Sequence, residues 1–104
     1  YLRNDIKFEG AVFTDDLSMQ GAGVVGGMLN RVNTAYRAGC DMLIVCNSPE
    51  DVGKVLAEWH PEIDPARGRR VAALIPAAPP RDWPTLQSDP VYLAAKETIA
   101  GLMA

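Results

Sequence analysis

Two short runs of consecutive apolar residues stand out against an otherwise mixed sequence. The first is Ala11-Val12-Phe13, and the second extends from Met42 to Cys46. Neither run alternates between polar and apolar positions, which is typical of strands covered on both faces, as in parallel sheets. We therefore predict two buried strands, whose starts are separated by about 30 residues.

The segment between these runs carries a helical pattern. A glycine-rich connection comes first, and a helix is predicted from about Met28 to Ala38, with Gly39 as its stop. Apolar residues recur in it at three- and four-residue intervals, at Met28, Val32, Ala35 and Tyr36. The glycines of the connection are Gly21, Gly23, Gly26 and Gly27.

A second helix is predicted directly after the second strand. Ser48 is a residue type that caps helices, Pro49 suits the first turn, and the acids that follow favour the positive end of the helix dipole. His60 should end the helix, because the residue before proline is pushed out of helical geometry. The apolar face of this helix consists of Val52, Val55, Leu56 and Trp59.

The remainder of the chain reads as a proline-rich extension and a terminal helix. Residues 61–90 are predicted to be mostly irregular, although the apolar stretch from Val71 to Ile75 could be helical. A last helix is predicted from Val91 to Met103, with one apolar stripe formed by Val91, Ala95, Ile99 and Leu102.

Length and composition limit the class of protein. With 104 residues and a net charge of -3, the chain can hold one modest core. A hydrophobic fraction of 48% argues against disorder, and no apolar run approaches the length of about 18 residues that a membrane-spanning helix needs. Basic residues are scattered apart from the cluster Arg67-Gly68-Arg69-Arg70, which argues against nucleic acid as a partner. A membrane partner is not expected either.

The two cysteines and the start of the chain indicate its compartment and its completeness. Cys40 and Cys46 flank the second strand, where an extended chain separates their Cα atoms by roughly 20 Å. A disulfide needs less than about 7 Å, so free thiols and a reducing, cytoplasmic compartment are expected. The sequence from Tyr1 shows no signal-peptide pattern and resembles mid-domain sequence, so we expect a piece of a longer protein.

Adjacent carboxylates follow the first strand at Asp15 and Asp16, and they carry three interpretations. Aspartate caps turns and helices without any chemistry. A carboxylate fixed at the end of a parallel strand can instead attack an electrophilic carbon or hold a metal ion. Receiver domains also place paired acids after their first strand, but the later phosphoacceptor aspartate is mismatched here, because Asp41 precedes the second strand and Asn47 follows it.

Two linked motifs carry a more specific resemblance. Residues 8–19 read FEGAVFTDDLSM, and residues 38–47 read AGCDMLIVCN. Over about the first 60 residues, the chain resembles the bacterial β-N-acetylhexosaminidases of glycoside hydrolase family 3. The resemblance implies an α/β fold of the TIM (β/α)8 type, in which the two strands are the seventh and eighth of eight. Residues 1–60 would then be the C-terminal quarter of the barrel, and residues 61–104 an extension of the same domain.

The resemblance also implies an activity and a set of site residues. Family members are retaining hydrolases that remove non-reducing N-acetylglucosamine from peptidoglycan fragments during cell-wall recycling in the cytoplasm. The position of the family's nucleophile matches Asp15, which would form a covalent glycosyl-enzyme. Ser18 and Met19 could help to shape the sugar pocket, with ordinary packing as the alternative for Met19. Asp16 would orient the turn or bond to backbone. From its position, Asn47 could face the same rim, but a turn residue before the Ser48 cap is the favoured interpretation. No cofactor or metal ion is expected.

One departure from the family pattern limits what this chain can do alone. The family's general acid/base is a histidine in a Lys-His-Phe-Pro-Gly-His type motif, and this sequence lacks that motif. Its single histidine, His60, is better explained by a contact at a helix end. The chain alone should therefore be nearly inactive. An alternative hypothesis is a non-catalytic assembly module, which pairs through open barrel edges with itself or with the missing part of its barrel.

Overall fold

The computed structural model describes residues 1–19, 21 and 26–104, and it has a mixed α/β architecture. Gly23 of the predicted glycine-rich connection lies outside the described residues. Within these residues, seven elements follow one another in the order β1 (Phe13–Asp16), α1 (Met28–Arg37), β2 (Met42–Ile44), α2 (Pro49–Glu58), α3 (Pro65–Ala72), α4 (Trp83–Gln87) and α5 (Pro90–Met103).

The strands β1 and β2 form a parallel pair, as the sequence predicts, and α1 lies between them in the chain. The register pairs Phe13 with Met42 and Asp16 with Ile44, with an irregularity between these pairs. The strand β1 begins two residues later than predicted and extends through Asp16. Both acids are therefore part of the strand, whereas the sequence placed them in the turn after it.

The core lies where α1 packs against the sheet. Val32 is 1% exposed, and Leu17 and Met28 are buried beside it. The helix ends as predicted, because Gly39 adopts φ +107°, a left-handed conformation that suits glycine. Partly buried apolar residues pack around these three, namely Ala35, Leu43, Val45, Val55 and Trp59.

The helix α2 matches its predicted bounds to within two residues, but its cap differs from the prediction. Ser48 makes no side-chain cap bond to the helix, and its Oγ instead donates to Asp51 Oδ2 at 2.6 Å. The Ser48 hydroxyl is thus used as a donor to the Asp51 carboxylate, a strong charged acceptor, instead of accepting from a backbone N–H of the helix. The helix ends at Glu58 and Trp59 is already extended, so His60 lies beyond the helix. His60 is exposed there and does not make the helix-end contact that the sequence predicts.

Residues 61–90 are less irregular than predicted, because α3 and α4 lie within this segment. Of the stretch from Val71 to Ile75, only the first two residues are helical. Each helix has an aspartate at its N-cap and a proline in its first turn. Asp64 accepts from the N–H of Ala66, and Asp82 accepts from the N–H of Thr85. An aspartate followed within two residues by proline starts each of these helices, so the prolines of this segment mark helix starts as well as irregular chain.

Apolar faces of several elements remain exposed in this structure. The strands are only half covered, since Phe13 is exposed in β1 and Met42 and Ile44 are exposed in β2, so the prediction of two covered faces is wrong for this chain. The predicted stripe of α5 is likewise exposed at Val91, Ile99 and Leu102. The radius of gyration is 19.0 Å, against about 13 Å for a compact domain of this length.

No helix within residues 1–19, 21 and 26–104 combines the length and the hydropathy that crossing a membrane requires.

Candidate active site

The two adjacent acids occupy the last two positions of β1 and point to different sides. Successive side chains of a strand alternate between its faces. Asp15 is exposed to solvent, whereas Asp16 is half-buried. The backbone N–H of Asp16 donates to Asp15 Oδ1 at 2.8 Å, which fixes one oxygen of the exposed carboxylate. Among the described residues, the other oxygen of Asp15 accepts no hydrogen bond.

The Asp16 carboxylate connects the ends of both strands. Its Oδ1 accepts hydrogen bonds of 2.9 Å from the backbone N–H groups of Ser18 and Cys46. Its Oδ2 accepts a hydrogen bond of 2.6 Å from the Ser18 hydroxyl. Cys46 follows β2, so the carboxyl ends of β1 and β2 lie at the same edge of the sheet. Asp16 thus bonds to backbone groups and orients the turn, as the sequence predicts.

These hydrogen bonds keep Asp16 charged. The Ser18 hydroxyl, the Cys46 N–H and the Ser18 N–H together lower the pKa of the Asp16 carboxyl below its ordinary value. They outweigh the opposing effect of partial burial, because hydrogen bonds donated to a carboxylate favour its ionised form. A fixed negative charge therefore stands beside Asp15.

The turn after β1 is held by contacts on both sides. The Leu17 N–H donates to the Ile44 carbonyl at 2.8 Å, and Arg31 Nη1 donates to the Leu17 carbonyl at 2.8 Å. Ser18 is half-buried and its hydroxyl proton is committed to Asp16, while Met19 remains 50% exposed. Of the two residues predicted to shape a sugar pocket, Met19 presents the freer side chain.

Asn47 occupies a position that matches a plain structural role, whereas His60 is exposed beyond α2. Asn47 has φ +55°, a left-handed conformation that asparagine tolerates better than most residues, and it leads from β2 into α2. It is therefore the turn residue that the sequence indicates. No hydrogen bond or ion pair of the described residues joins His60 to Asp15 or Asp16.

The structure does not enclose Asp15. Five principal cavities formed by the described residues have walls without Asp15, Asp16, Ser18 or Met19. The rim of a strand–helix barrel is assembled from the loops of several strands, whereas the described residues contain two strands. In the same described part of the chain, no group of three or more histidine, cysteine or acidic residues is arranged to hold a metal ion. Cys40 and Cys46 are both free thiols.

The opposite edge of the sheet contains an ion cluster that the sequence analysis missed. The Asp41 side chain is fully buried and accepts from Arg3 Nη2 at 2.8 Å and from Arg70 Nη2 at 2.7 Å. Its Oδ2 also accepts from the Val12 N–H at 2.9 Å. Asp41 thereby joins the N-terminal segment, both strands and α3. Its arginine partners lie 38 and 29 residues away in the sequence, so no local motif predicts the cluster.

Two opposing effects act on the Asp41 carboxyl. Burial raises the pKa of Asp41, but the hydrogen bonds from Arg70 and Val12 and the charges of Arg70 and Arg3 lower it by more. The net result is a pKa below the ordinary value, so Asp41 stays ionised between its two arginines. The hydrogen bond to Asp41 in turn raises the pKa of Arg70.

With the parallel pair and its acidic edge established, sequence comparison identifies the class. Residues 1–69 match the model of the glycosyl hydrolase family 3 N-terminal domain. This match covers about two thirds of the chain and includes β1, β2 and the start of α3. The chain therefore belongs to glycosyl hydrolase family 3.

Individual relatives extend the similarity over nearly the whole chain. A beta-hexosaminidase of Aromatoleum aromaticum is 41% identical over 102 residues, which cover 98% of this chain and 29% of the relative. The beta-hexosaminidase of Bordetella parapertussis is 40% identical over 91% of this chain and 27% of its own length. That of Nitrosospira multiformis is 38% identical over 97% of this chain and 29% of its own length. The chain thus spans less than a third of the curated relatives that it matches.

Proposed function

We propose that this chain is the C-terminal part of a β-N-acetylhexosaminidase and that Asp15 is its nucleophile. One observation carries the proposal: Asp15 is an exposed carboxylate at the carboxyl end of a parallel strand, in a chain 41% identical to a beta-hexosaminidase. In strand–helix barrels, catalytic groups stand at the carboxyl ends of the strands. In this proposal, β1 and β2 are the seventh and eighth strands of a (β/α)8 barrel, and residues 61–104 extend the same domain.

The geometry of Asp15 suits nucleophilic attack on a sugar. The Asp16 N–H holds Oδ1, which leaves Oδ2 to attack the anomeric carbon. The C1–O bond to the leaving group breaks as the bond to Oδ2 forms, and the leaving oxygen takes a proton from a general acid. Water then gives a proton to the deprotonated general acid and attacks C1 of the glycosyl-enzyme, which breaks the bond from C1 to Asp15, releases the carboxylate and restores the β configuration.

The general acid of this reaction is not assigned to any residue of the chain. His60 is exposed beyond α2, and the family's histidine motif is absent from the sequence. The proton donor and the remaining sugar contacts would come from other strands of the barrel. The 104-residue chain alone should therefore hydrolyse substrate at least about a hundredfold more slowly than the intact enzyme. This factor is the smallest contribution that a general acid typically makes to the rate.

The substrate and the compartment belong to the same proposal. The substrate would be a peptidoglycan fragment with a non-reducing terminal N-acetylglucosamine, as the family resemblance implies. The name of the relatives, beta-hexosaminidase, supports an amino-sugar substrate. A cytoplasmic location is supported by the free thiols of Cys40 and Cys46, because reducing compartments keep thiols unpaired. Release of N-acetylglucosamine from a muropeptide, and recovery of the enzyme with the cytoplasmic fraction, would test both points.

The decisive experiment replaces the nucleophile in the intact enzyme. Asp15→Ala should lower the hydrolysis of an aryl N-acetyl-β-glucosaminide by a factor of about 10³ or more. Azide should restore cleavage and yield the α-glycosyl azide, because it attacks C1 from the face that Asp15 would occupy. Asp5→Ala removes an exposed acid of the segment before β1 and serves as the matched control. Full activity of Asp15→Ala, or rescue by azide with the β product, would refute the proposal.

A second candidate function is assembly with further barrel strands. A mostly apolar groove of about 390 Å³ lies beside β2, with walls from Val45, Val55 and Trp59. Exposed apolar strand faces at an open sheet edge favour pairing with another chain. Co-expression of this chain with the rest of the barrel, followed by light scattering, should give a one-to-one complex. A compact monomer of the chain alone would contradict this second function.

A further inference from the structure

A basic cavity opens at the edge of the sheet opposite to Asp15. Its volume is about 610 Å³, and it lies between the N-terminal segment and α3. Four basic side chains form its walls, together with Phe8 and Glu9; they are Arg3, Lys7, Arg69 and Arg70. The last two belong to the single basic cluster of the sequence, which the proposed hydrolase activity does not use.

The charges of this cavity do not cancel. Arg3 and Arg70 share one carboxylate, that of Asp41, which leaves one positive charge between them. In the described part of the chain, no carboxylate oxygen lies within 4.0 Å of the charged groups of Lys7 or Arg69. Arg3 and Arg70 together keep one positive charge, and Lys7 and Arg69 add one each. The negative charge of Glu9, which also lines the cavity, reduces the net charge to +2.

The third basic cluster member, Arg67, has a different role. It donates to the Tyr36 carbonyl at 2.7 Å, and its guanidinium lies 3.7 Å from the centre of the Tyr36 ring. It also donates to the Cys40 carbonyl. These contacts hold α3 against α1, so that Arg69 and Arg70, on the same helix, reach the cavity.

The backbone at Lys7 supports a specialised role for this wall. Lys7 has φ +61°, a left-handed conformation that residues with a side chain seldom adopt. The Phe8 N–H donates to the Leu2 carbonyl at 2.9 Å, and Arg3 Nη1 donates to the Phe8 carbonyl at 2.8 Å. Strained residues of this kind persist where the surroundings fix them, and they cluster at ligand sites.

We propose that this cavity binds the phosphate group of a small phosphate monoester. A phosphate monoester carries a charge of about -2 at neutral pH, which matches the excess of positive charge. Arginine guanidiniums bind phosphate oxygens through paired N–H groups, and Lys7 adds a further charge. The partly exposed ring of Phe8 offers a surface for the organic group of the ester. The proposal does not depend on the chemistry of Asp15, which lies at the other edge of the sheet.

Calorimetric titration of the purified intact enzyme at constant ionic strength tests this site, with inorganic phosphate and phenyl phosphate as probes. We expect one ion per protein and tighter binding of phenyl phosphate. Lys7→Ala and Arg69→Ala should each raise the dissociation constant about fivefold to tenfold, by loss of a charge-assisted contact. Lys54→Ala and Arg37→Ala remove exposed basic residues elsewhere and should leave the constant unchanged. Arg3 and Arg70 are left intact, because they also neutralise Asp41.

Each alternative result counts against the site. Absence of saturable binding, or equal weakening by the two control substitutions, would show that phosphate responds only to overall charge and would overturn the proposal. Equal affinity for inorganic phosphate and phenyl phosphate would overturn the assignment to a monoester. Thermal melting of every variant, compared with the unmodified protein, separates lost binding from lost folding. Hydrolysis of an aryl N-acetyl-β-glucosaminide should be the same in all four variants.

Discussion

The carboxylate of Asp16 accepts a hydrogen bond of 2.9 Å from the backbone N–H of Cys46. This bond crosses from the end of one strand to the end of its neighbour. It fixes the residue next to Asp15 against β2, and the position of the exposed carboxylate is thereby tied to two strands rather than one.

Removal of this link should affect the rate of hydrolysis more than the binding of substrate. In the intact enzyme, we expect Asp16→Ala to lower kcat about tenfold to a hundredfold with little change in KM. The reason is that a misplaced Asp15 carboxylate would stabilise the transition state less well. The loss should be smaller than that of Asp15→Ala.

The matched variant for this position is Asp16→Asn, which retains an oxygen acceptor for the Cys46 N–H but lacks the negative charge. Recovery of most of the lost activity would assign the effect to position, and its absence would assign it to charge. Steady-state kinetics across pH 5 to 9 checks both variants. A kcat of Asp16→Ala equal to that of the unmodified enzyme would contradict the positioning role.

Asp41 should be important for stability and unimportant for catalysis. Asp41→Asn leaves two guanidiniums against a neutral side chain, and we expect it to lower the free energy of unfolding by about 3 kcal/mol. This value is at the low end for broken ion pairs because Arg3 and Arg70 keep 29% and 23% of their side-chain surface exposed. Urea denaturation provides the measurement.

Asp5→Asn is the control for Asp41→Asn, since Asp5 is an exposed acid that takes part in no ion pair among the described residues. Its effect should stay within about 0.5 kcal/mol. Equal stability of the Asp41 and Asp5 variants would show that the buried cluster contributes nothing.

Acid should destabilise the fold through three aspartates. Hydrogen bonds lower the pKa values of Asp16, Asp41 and Asp82 below the ordinary value of 3.8. A carboxyl with a lowered folded-state pKa stabilises the fold above its unfolded pKa, and this contribution is lost as pH falls through the folded value. The free energy of unfolding should therefore be level down to about pH 5 and decline below it.

Measurement of urea unfolding between pH 7 and pH 3 checks this decline. Asp41→Asn should flatten it, because one of the three groups no longer titrates. A decline of the same steepness in that variant would assign the acid sensitivity to other carboxyls.

The N-terminus of α5 should depend on Asp89. The carboxylate of Asp89 accepts from the N–H groups of Val91 and Tyr92 and also pairs with Arg81. Asp89→Ala should cost about 1 kcal/mol of local helix stability and speed amide hydrogen exchange in the first turn about fivefold. Asp89→Asn retains a capping oxygen and should exchange close to the original rate. Equal acceleration in both variants would assign the effect to the ion pair with Arg81.

Local pattern predicted some elements of this fold well. The spacing of Met28 and Val32 and the glycine at position 39 define α1 to within one residue, because side-chain period and helix stop are both encoded locally. The two parallel strands were predicted in the right order but with shifted bounds, since β1 runs two to three residues later than predicted and β2 ends at Ile44 rather than at Cys46. The helices α3 and α4 were missed because the prolines at positions 65 and 84 suit a first helical turn as well as an irregular segment, and the capping aspartates decide between the two.

Contacts between distant residues explain what pattern could not predict. The ion cluster at Asp41 draws one partner from position 3 and another from position 70, and only the folded chain brings them together. Burial was overestimated for Phe13 and Val91, because an apolar run indicates that a face can be covered and does not say which segment covers it. The roles of Asp15, Ser18 and Met19 remain predictions of the family resemblance.

Side chains of β1 take over part of the pairing with β2. Thr14 Oγ1 accepts from the Ile44 N–H at 2.8 Å, and Asp16 accepts from the Cys46 N–H, in places where a regular ladder would use carbonyl oxygens. A shift of one residue between the strands would turn both acceptors to the opposite face and leave the N–H groups of Ile44 and Cys46 without these partners. The register of this sheet therefore depends on the side chains of Thr14 and Asp16. Substitution of either residue should allow the strands to shift at the end that carries Asp15 before the protein unfolds.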